Sequence, residues 1–285
     1  MKIGIIGGGK VGCCLAEYLQ NHLVGITAST STKNQELADR FHTSYTATLE
    51  VIEQAEVIFL TLPDRKIMTL ANEIASATKV AGKIFLHCSG SLGLEPLQAL
   101  HEQGAHCGSM HPLQSFAGGA TKLQGVYMAV DGDAIAQAKA KEIVTLLGGN
   151  SFCVPGEERA AYHAAACFCS NYAVTVEKKE KKLMSRWTGS EEAAWQALLP
   201  LFKGTVANLE STKKTNKVLT GPVARGDINT IEKHLLSLPN EYLSIYCSLC
   251  LATVQIALSN ETIDLQTAHQ LQNLLQLRQV KNSEE

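Results

Sequence analysis

The chain has 285 residues, of which 45% are hydrophobic and 18% are charged, and its formal net charge at pH 7 is −2. This length is sufficient for one large domain or two moderate ones, each with a buried core. Proteins that bind nucleic acid usually carry a strong basic excess, so this balance argues against a nucleic-acid partner.

The sequence also shows no pattern typical of a membrane span or of an export signal. No stretch of about 18 uninterrupted apolar residues occurs, which argues against a membrane span. Met1 runs directly into the apolar run 3–6 without a secretory leader, so we expect a cytoplasmic protein. Its nine cysteines are then expected to be reduced thiols that act as small core residues.

Strand and helix patterns alternate through the first half of the chain. Helical spacing of apolar residues predicts helices at 10–20 and 133–147. Near-continuous apolar runs separated by helices are typical of a parallel sheet covered on both faces. We predict an α/β fold in which a Rossmann-type, doubly wound parallel sheet has strands at 2–6, 23–27, 56–62, 84–86, 105–110, 126–131 and 151–154.

After Gly156 the pattern is helical only. We expect an all-α C-terminal domain, with a boundary near 152–156. Residues 1–152 are then a predicted NAD(P)-binding domain, and residues 153–285 a predicted substrate and dimerisation domain. The predicted helices are 157–184, 190–210, 228–237, 240–258 and 262–280.

A glycine-rich loop carries the strongest chemical signal. It matches G-x-G-x-x-G, follows the first strand directly and opens an amphipathic helix, which is the context that gives the motif meaning. The glycines permit a tight turn, backbone approach to a pyrophosphate and close helix–strand packing. Amide groups at the helix start then face the phosphates. The residues predicted to contact the cofactor here are Gly7, Gly8, Gly9, Lys10, Val11 and Gly12.

The end of the second strand indicates which dinucleotide binds. A carboxylate about 20 residues after the glycines would hold the ribose 2′-hydroxyl of NAD. This chain has no Asp or Glu there before Glu36. Hydroxyl and ammonium groups can bind a 2′-phosphate, which favours NADP over NAD, unless residues 29–32 only form a solvated turn. The predicted contacts are Ser29, Thr30, Ser31 and Lys33.

Three predicted strands end in polar residues, at 62–64, 87–90 and 109–112. Ligands bind beyond the carboxyl ends of strands in an open parallel sheet. We expect Leu62, Pro63 and Ser89 to border the cofactor, and Asp64 to cap a helix that begins at residue 65. The nearby His and Cys residues fit no common metal-ligand spacing, so no metal is expected.

These motifs resemble a known family. The run K-I-G-I-I-G-G-G-K-V-G at 2–12 is joined by L-P-D, H-C-S-G, M-H-P-L-Q-S-F at 110–116, Y-H-A-A-A-C-F-C-S-N-Y at 162–172 and G-P-V-A-R-G-D at 221–227. Together they are similar to Rossmann-like proteins with a C-terminal helical domain of unknown function. A more distant resemblance is to pyrroline-carboxylate reductase, prephenate dehydrogenase and phosphogluconate dehydrogenase. It implies an NADP-dependent oxidoreductase and supplies no substrate.

Two histidines are candidates for proton transfer. The resemblance to prephenate dehydrogenases, which act on the substrate hydroxyl through the His of a His-Pro pair, points to His111. Hydride transfer to a carbonyl or imine needs a proton near neutral pH, which suits imidazole. His163 and Asn171 lie eight residues apart, about 80° around a helix, so both can border one cleft. For each histidine the alternative is a structural residue bonded to backbone.

Arg225 is the predicted substrate anchor. It precedes Asp227, which reads as the N-cap of a helix beginning at Ile228. An arginine beside a helix N-terminus can bind a carboxylate with two hydrogen bonds, or it can pair with Asp227. The substrate is therefore expected to be a small anionic carbonyl or imine compound.

The helical half is small for its apolar surface, which predicts a homodimer through this domain. A regulatory NADP-binding protein without turnover is the alternative to an enzyme. It is kept because related dehydrogenases use a Lys on the first helix of the helical domain, whereas this chain has none there before Lys178. The substrate and the direction of reaction do not follow from the sequence.

Overall fold

The computed structural model describes residues 1–117, 121–212 and 215–284 of the chain. It divides into two compact units, Met1–Ala173 and Val174–Glu285. The first unit extends past the predicted boundary at residue 152 because the helix that follows packs with the sheet. A separate cofactor domain that ends at residue 152 stays a prediction.

A seven-stranded sheet forms the centre of the first unit. Its order is β2-β1-β3-β4-β5-β6-β7, so the chain moves to one side of β1 and then returns to the other. The strands are β1 (Ile3–Ile6), β2 (Leu23–Thr27), β3 (Val57–Leu60), β4 (Ile84–His87), β5 (His106–Pro112), β6 (Tyr127–Gly132) and β7 (Asn150–Cys153).

The predicted sheet is confirmed with one correction to its direction. Neighbouring strands are parallel except β5 and β6, which are antiparallel, so β6 and β7 run opposite to the first five. A parallel return needs a crossover, usually a helix. The described part of the connection 113–126 contains no helix, and β6 therefore folds back beside β5.

Helices cover both faces of this sheet, as predicted. One face buries Ile5, Phe59 and Leu86, and the opposite face buries Ile58 and Phe85. Alternate residues of a strand point to opposite faces, so these uniformly apolar strands serve two cores. The helices of the first unit are α1 (Lys10–Tyr18), α2 (Ser31–Phe41), α3 (Thr48–Gln54), α4 (Asp64–Ala77), α5 (Gln98–Glu102), α6 (Ala134–Leu146) and α7 (Arg159–Cys169).

The described residues of the second unit contain helices and turns but no strand. The single predicted helix 157–184 is two helices, because α7 ends before Ser170 and α8 follows as Asn171–Thr188. The remaining helices are α9 (Glu191–Glu210), α10 (Ile228–Ser237), α11 (Asn240–Ser259) and α12 (Leu265–Glu284). Leu243, Val254, Leu271 and Leu275 of α11 and α12 lie in its core.

One described helix, α11, is long and apolar enough to cross a membrane, with a mean hydropathy of 1.5 over its most apolar window. The core helix of a soluble protein can have the same length and composition. Here Leu243, Cys247, Cys250, Val254 and Ala257 of α11 are buried in the core of the second unit. The same apolar window is 28% buried, and Leu249 and Ile256 of α11 are 50% and 40% exposed.

Candidate cofactor and active site

The glycine loop lies where the strand order reverses. It follows β1 directly, and β2 and β3 pair with opposite sides of that strand. In open α/β sheets a crevice forms at such a point, outside the carboxyl ends of the strands, because the connections leave in opposite directions. The topology thus places the predicted phosphate loop at the position where this class of sheet binds ligands.

Two glycines allow α1 to pack closely against the loop. A Cβ on Gly12 would lie 2.0 Å from the Gly7 carbonyl oxygen, and a Cβ on Gly7, whose φ is +127°, would lie 2.4 Å from the Thr61 carbonyl oxygen. The Thr61 hydroxyl donates to the Gly7 carbonyl oxygen at 2.6 Å. A side chain at either glycine would therefore push α1 away from the sheet.

Gly9 has a different environment. A Cβ there would meet no atom of the described residues within 4 Å, so the loop is open on this side within that part of the chain. Gly9 is the N-cap of α1, and none of the described side chains caps the helix. The first amide groups of a helix lack intrahelical acceptors and carry partial positive charge. This open helix N-terminus suits a phosphate group that approaches the backbone.

A cavity of about 570 Å³ lies beside this loop. Charged side chains of both signs line it. The Lys10 ammonium donates to the Ala117 carbonyl oxygen at 2.6 Å, and Arg40 forms an ion pair with Glu17. The lining residues are Gly8, Gly9, Lys10, Cys13, Cys14, Glu17, Lys33, Glu36, Leu37, Arg40, Phe116 and Thr121.

The predicted ribose-phosphate contacts lie at the start of α2. Ser29, Thr30, Ser31 and Lys33 are all exposed. The Thr30 side chain caps α2 by accepting a hydrogen bond from the Lys33 amide at 3.4 Å. These residues are a solvent-exposed helix start, and the solvated alternative stays open. Their contact with a cofactor stays a prediction.

Asp64 connects the ends of β3 and β4. Its carboxylate accepts hydrogen bonds from the hydroxyls of Ser89 and Ser91, each at 2.9 Å. The expectation that it caps a helix from residue 65 is wrong, because Pro63 is the N-cap and α4 begins at Asp64.

The predicted cofactor neighbours at these strand ends differ in exposure. The side chain of Ser89 is buried. Its hydroxyl also accepts from the Leu92 amide at 3.2 Å, so it holds the loop after β4. Pro63 is exposed, and Leu62 lines a second cavity with Gly7 and Ser29. Cofactor contacts of Leu62, Pro63 and Ser89 stay predictions.

A third cavity, of about 740 Å³, contains three of the predicted catalytic residues. His111 at the end of β5, His163 on α7 and Asn171 at the start of α8 all line it. The ring centroids of the two histidines are 6.1 Å apart. Phe116 lines both this cavity and the one beside the glycine loop. The predicted catalytic and phosphate-binding residues therefore border neighbouring cavities.

Gly90 permits the two imidazoles to approach. A Cβ on this glycine would lie 2.6 Å from His163 Cδ2 and 2.8 Å from His111 Nε2. Any larger residue after β4 would displace one of the two rings. The H-C-S-G motif thus contributes its glycine to the site, a role that the sequence pattern did not indicate.

One face of α7 docks on β5 through two paired contacts. Arg159 donates from Nη2 to the hydroxyl of Ser109, and the Tyr162 hydroxyl is hydrogen-bonded to His111 Nδ1 at 2.7 Å. Residues three apart on a helix share a face, as do residues two apart on a strand. The spacing of Arg159 and Tyr162 therefore matches that of Ser109 and His111.

Arg159 is a fully buried cation. Its Nε donates to the Val154 carbonyl oxygen at 3.2 Å, while Nη1 has no hydrogen-bond partner in the described part of the chain. Guanidinium stays charged in proteins, so this cation raises the electrostatic potential around the rings of His111 and Tyr162.

The site therefore favours neutral imidazole. Burial is the main cause that lowers the pKa of His111 to about 4, with repulsion from His163 and Arg159 in the same direction and Asp64 opposed. Burial raises the pKa of Tyr162 to about 12, although the Arg159 charge acts in the opposite direction. At neutral pH His111 is uncharged and Tyr162 keeps its proton.

His87 has a structural environment. It is fully buried, and its Nε2 bonds the Gly93 carbonyl oxygen at 2.8 Å. Its Nδ1 accepts from the Ser89 amide at 3.2 Å. Burial lowers the pKa of His87 to about 4. This neutral ring supports the loop that carries Ser89 and Gly90.

Arg225 belongs to the second unit and is exposed. Asp227 caps α10, as predicted, by accepting hydrogen bonds from the Thr230 amide and hydroxyl at 3.1 and 2.7 Å. The role of Arg225 in substrate binding stays a prediction. Among the described residues, no group of three or more His, Cys, Asp or Glu side chains is arranged to hold a metal ion.

Two functional candidates emerge only from the structure. Tyr162 and Arg159 lie 51 and 50 residues after their partners on β5. The R-x-x-Y-H spacing at 159–163 places all three polar side chains on one helical face, which was the available signal. Without the position of β5 that signal does not distinguish a site from a solvated face.

Family models match both halves of the chain. Residues 1–112 match a Rossmann-like domain, and residues 126–253 match DUF2520, a domain of unknown function. The two matches, in this order along the chain, confirm the resemblance that the motifs carry. A comparison with curated proteins finds no match.

Solved structures share the fold over nearly the whole chain. Protein TM1727 from Thermotoga maritima has 26% identity and a TM-score of 0.72, over 91% of this chain and 99% of that one. BF3122 from Bacteroides fragilis, provisionally named an NADP oxidoreductase, has 21% identity and a TM-score of 0.72, over 89% and 98%. 1-Pyrroline-5-carboxylate reductase from Streptococcus pyogenes has 18% identity and a TM-score of 0.63, over 96% and 98%.

Alanine substitutions at Gly12 and Gly9 should have different effects, one on stability and the other on cofactor binding. Gly12→Ala should lower the free energy of unfolding by about 1–3 kcal/mol or more, because its Cβ collides with backbone. Gly9→Ala should leave that free energy nearly unchanged, since its Cβ enters open space, and should weaken NADPH binding at least tenfold. Urea denaturation and calorimetric titration measure the two quantities. Full-affinity binding by Gly9→Ala would contradict the assignment of the loop.

Proposed function

We propose that this protein is an NADP-dependent oxidoreductase that transfers a hydride between the nicotinamide and a small, anionic carbonyl or imine metabolite. The observation that carries the proposal is the open N-terminus of α1 at Gly9, beside a cavity that shares Phe116 with the cavity of His111 and His163. The names of the Bacteroides and Streptococcus structures agree with it.

The glycine loop fits the pyrophosphate of such a cofactor. Gly9 leaves the space that a phosphate needs, and the amide groups of the first turn supply donors with partial positive charge. Lys10 adds a cation at the same helix start. NADPH, when bound, supplies the hydride.

The histidine cavity is the proposed place of substrate reduction. It contains polar groups at His111, His163 and Asn171, and apolar surface from Phe116 and Phe152. Such a lining excludes water from a reacting carbon while it leaves hydrogen-bonding groups for the heteroatom. We propose a negatively charged substrate because Arg225 can bind a carboxylate.

The preference for NADP rests on the start of α2. Ser29, Thr30, Ser31 and Lys33 are exposed there and can bond a 2′-phosphate. Residues 28–35, which follow β2, contain no carboxylate to hold a free ribose hydroxyl. A dianion and an ammonium attract each other, whereas a neutral ribose gains little from Lys33.

NADPH should therefore bind more tightly than NADH in calorimetric titration. Lys33→Gln should raise the Kd for NADPH by about tenfold, which corresponds to one charge-assisted hydrogen bond, and should leave the Kd for NADH unchanged. Lys79→Gln, an exposed lysine outside the lining of the cofactor cavity, is the matched control. Tighter binding of NADH would contradict the NADP assignment.

Turnover separates an enzyme from a regulatory NADP-binding protein. NADPH oxidation, followed at 340 nm against a panel of 2-keto acids and cyclic imines that includes 1-pyrroline-5-carboxylate, should detect a substrate. His111→Asn and His163→Asn should then lower kcat, because both rings border the reacting cavity. Unchanged kcat in both variants would remove the histidines from the mechanism. NADPH binding without oxidation of any probe would favour the regulatory protein.

A homodimer through the helical half is the second part of the proposal. Helix α8 buries none of its residues, and α9 buries only Ala194. Trp187 and Leu201 are 69% and 70% exposed. Exposed apolar side chains of this kind favour a partner surface in water, and a second copy of the chain supplies the same surface by two-fold symmetry.

Light scattering should give a mass of twice the 30.7 kDa of the chain. Leu201→Glu on α9 should shift the protein toward monomer, since a charge in an apolar interface loses its hydration. Leu146→Glu, at a 49% exposed leucine on α6 of the first unit, should leave the dimer intact. A monomeric wild-type protein would contradict this assembly.

A further inference from the structure

Reduction of the substrate requires a proton donor. His111 is not a cationic donor of this kind. Its imidazole is neutral at neutral pH, because burial together with the neighbouring Arg159 and His163 lowers its pKa to about 4. A neutral imidazole is a weak acid. It can, however, donate one N–H to a neighbour and fix that neighbour's orientation.

Tyr162 has the geometry of that source. Its hydroxyl is 2.7 Å from His111 Nδ1, and both side chains line the 740 Å³ cavity. The ring is also positioned by Phe152, at a centroid distance of 5.9 Å in an edge-to-face contact. A tyrosine held by two neighbours on β5 and β7 presents one O–H in a fixed direction.

We propose that Tyr162 is the acid that protonates the substrate heteroatom, with His111 as the residue that positions its hydroxyl. This inference rests on the proposed reductase function and extends it. In the tautomer it requires, His111 Nδ1–H donates to the Tyr162 oxygen. The Tyr162 O–H is then directed away from the histidine and into the cavity.

The proton step balances as follows. As a hydride forms the new C–H bond, the π electron pair of C=O or C=N moves onto the heteroatom. That atom takes the proton of Tyr162, whose O–H bond breaks and leaves its electron pair on the phenolic oxygen. A proton from solvent water later restores the hydroxyl.

Two neighbours of Tyr162 oppose the cost of forming a phenolate in this buried site. The Arg159 guanidinium carbon lies 6.0 Å from the centre of the Tyr162 ring, and its charge acts to lower the pKa of that hydroxyl. The His111 Nδ1–H donates to the oxygen on which the charge develops. The cation and the donor thereby offset part of the burial penalty that raises the pKa of Tyr162 to about 12.

Two readouts test this role. The first needs no substrate: ¹⁵N NMR of His111 at pH 7 should show a neutral ring protonated at Nδ1. The second is NADPH oxidation by Tyr162→Phe with the best probe from the panel of keto acids and cyclic imines. We expect kcat to fall at least about 100-fold, with KM and the NADPH Kd little changed, since only an acid is lost.

Tyr127→Phe is the matched control. Tyr127 also contacts Phe152, at a ring distance of 6.3 Å, but it does not line the cavity, so its variant should keep wild-type kcat. A His111 ring protonated at Nε2 alone, or full kcat in Tyr162→Phe, would overturn this inference and leave the reductase function standing. A wild-type protein that oxidises NADPH with no probe would overturn the reductase function and this inference with it.

Discussion

The close packing of α1 on the glycine loop constrains the rest of the site. Gly12 lies so near the Gly7 carbonyl that no side chain fits between them, and the Thr61 hydroxyl holds that same carbonyl from β3. Helix α1 therefore begins at the carboxyl edge of the sheet, next to the point where the strand order reverses. Its uncapped first turn faces a cavity rather than protein.

A second contact, between α7 and β5, positions polar side chains at the neighbouring cavity. The helix buries Arg159 against Ser109 and places Tyr162 on His111. The buried guanidinium costs desolvation and leaves one nitrogen without a hydrogen-bond partner among the described residues, which is an unusual feature for a purely structural residue. Its charge favours uncharged imidazoles nearby and opposes the burial that keeps the Tyr162 hydroxyl protonated. The proposed function uses both effects.

Much of this architecture follows from local patterns in the sequence. The glycine motif could be interpreted because it lies between an apolar strand and an amphipathic helix, and helix α10 has the predicted bounds with Asp227 as its cap. Helix α2 was not predicted, because only Leu37, Ala38 and Phe41 of its eleven residues are buried and the rest of the run is largely polar. The direction of β6 was also inaccessible, since apolar periodicity carries no information about which way a strand runs.

The candidate site was only partly predictable for a related reason. His111, His163 and Asn171 line one cavity, and they could be selected beforehand because strand ends and a helix face can be identified from spacing. Tyr162 and Gly90 were missed, since their roles depend on contacts with residues more than 20 positions away. Asp64 was misassigned because its true partners, Ser89 and Ser91, lie on the next strand connection.

Amide hydrogen exchange of the full chain with and without NADPH tests the central claim most directly. If the cofactor's phosphates rest on the first turn of α1, NADPH should slow exchange at the amides of residues 9–12 and leave those of α10 unchanged. Unaltered exchange at these amides in saturating NADPH would contradict the account, because the open helix N-terminus would then have no ligand of this kind.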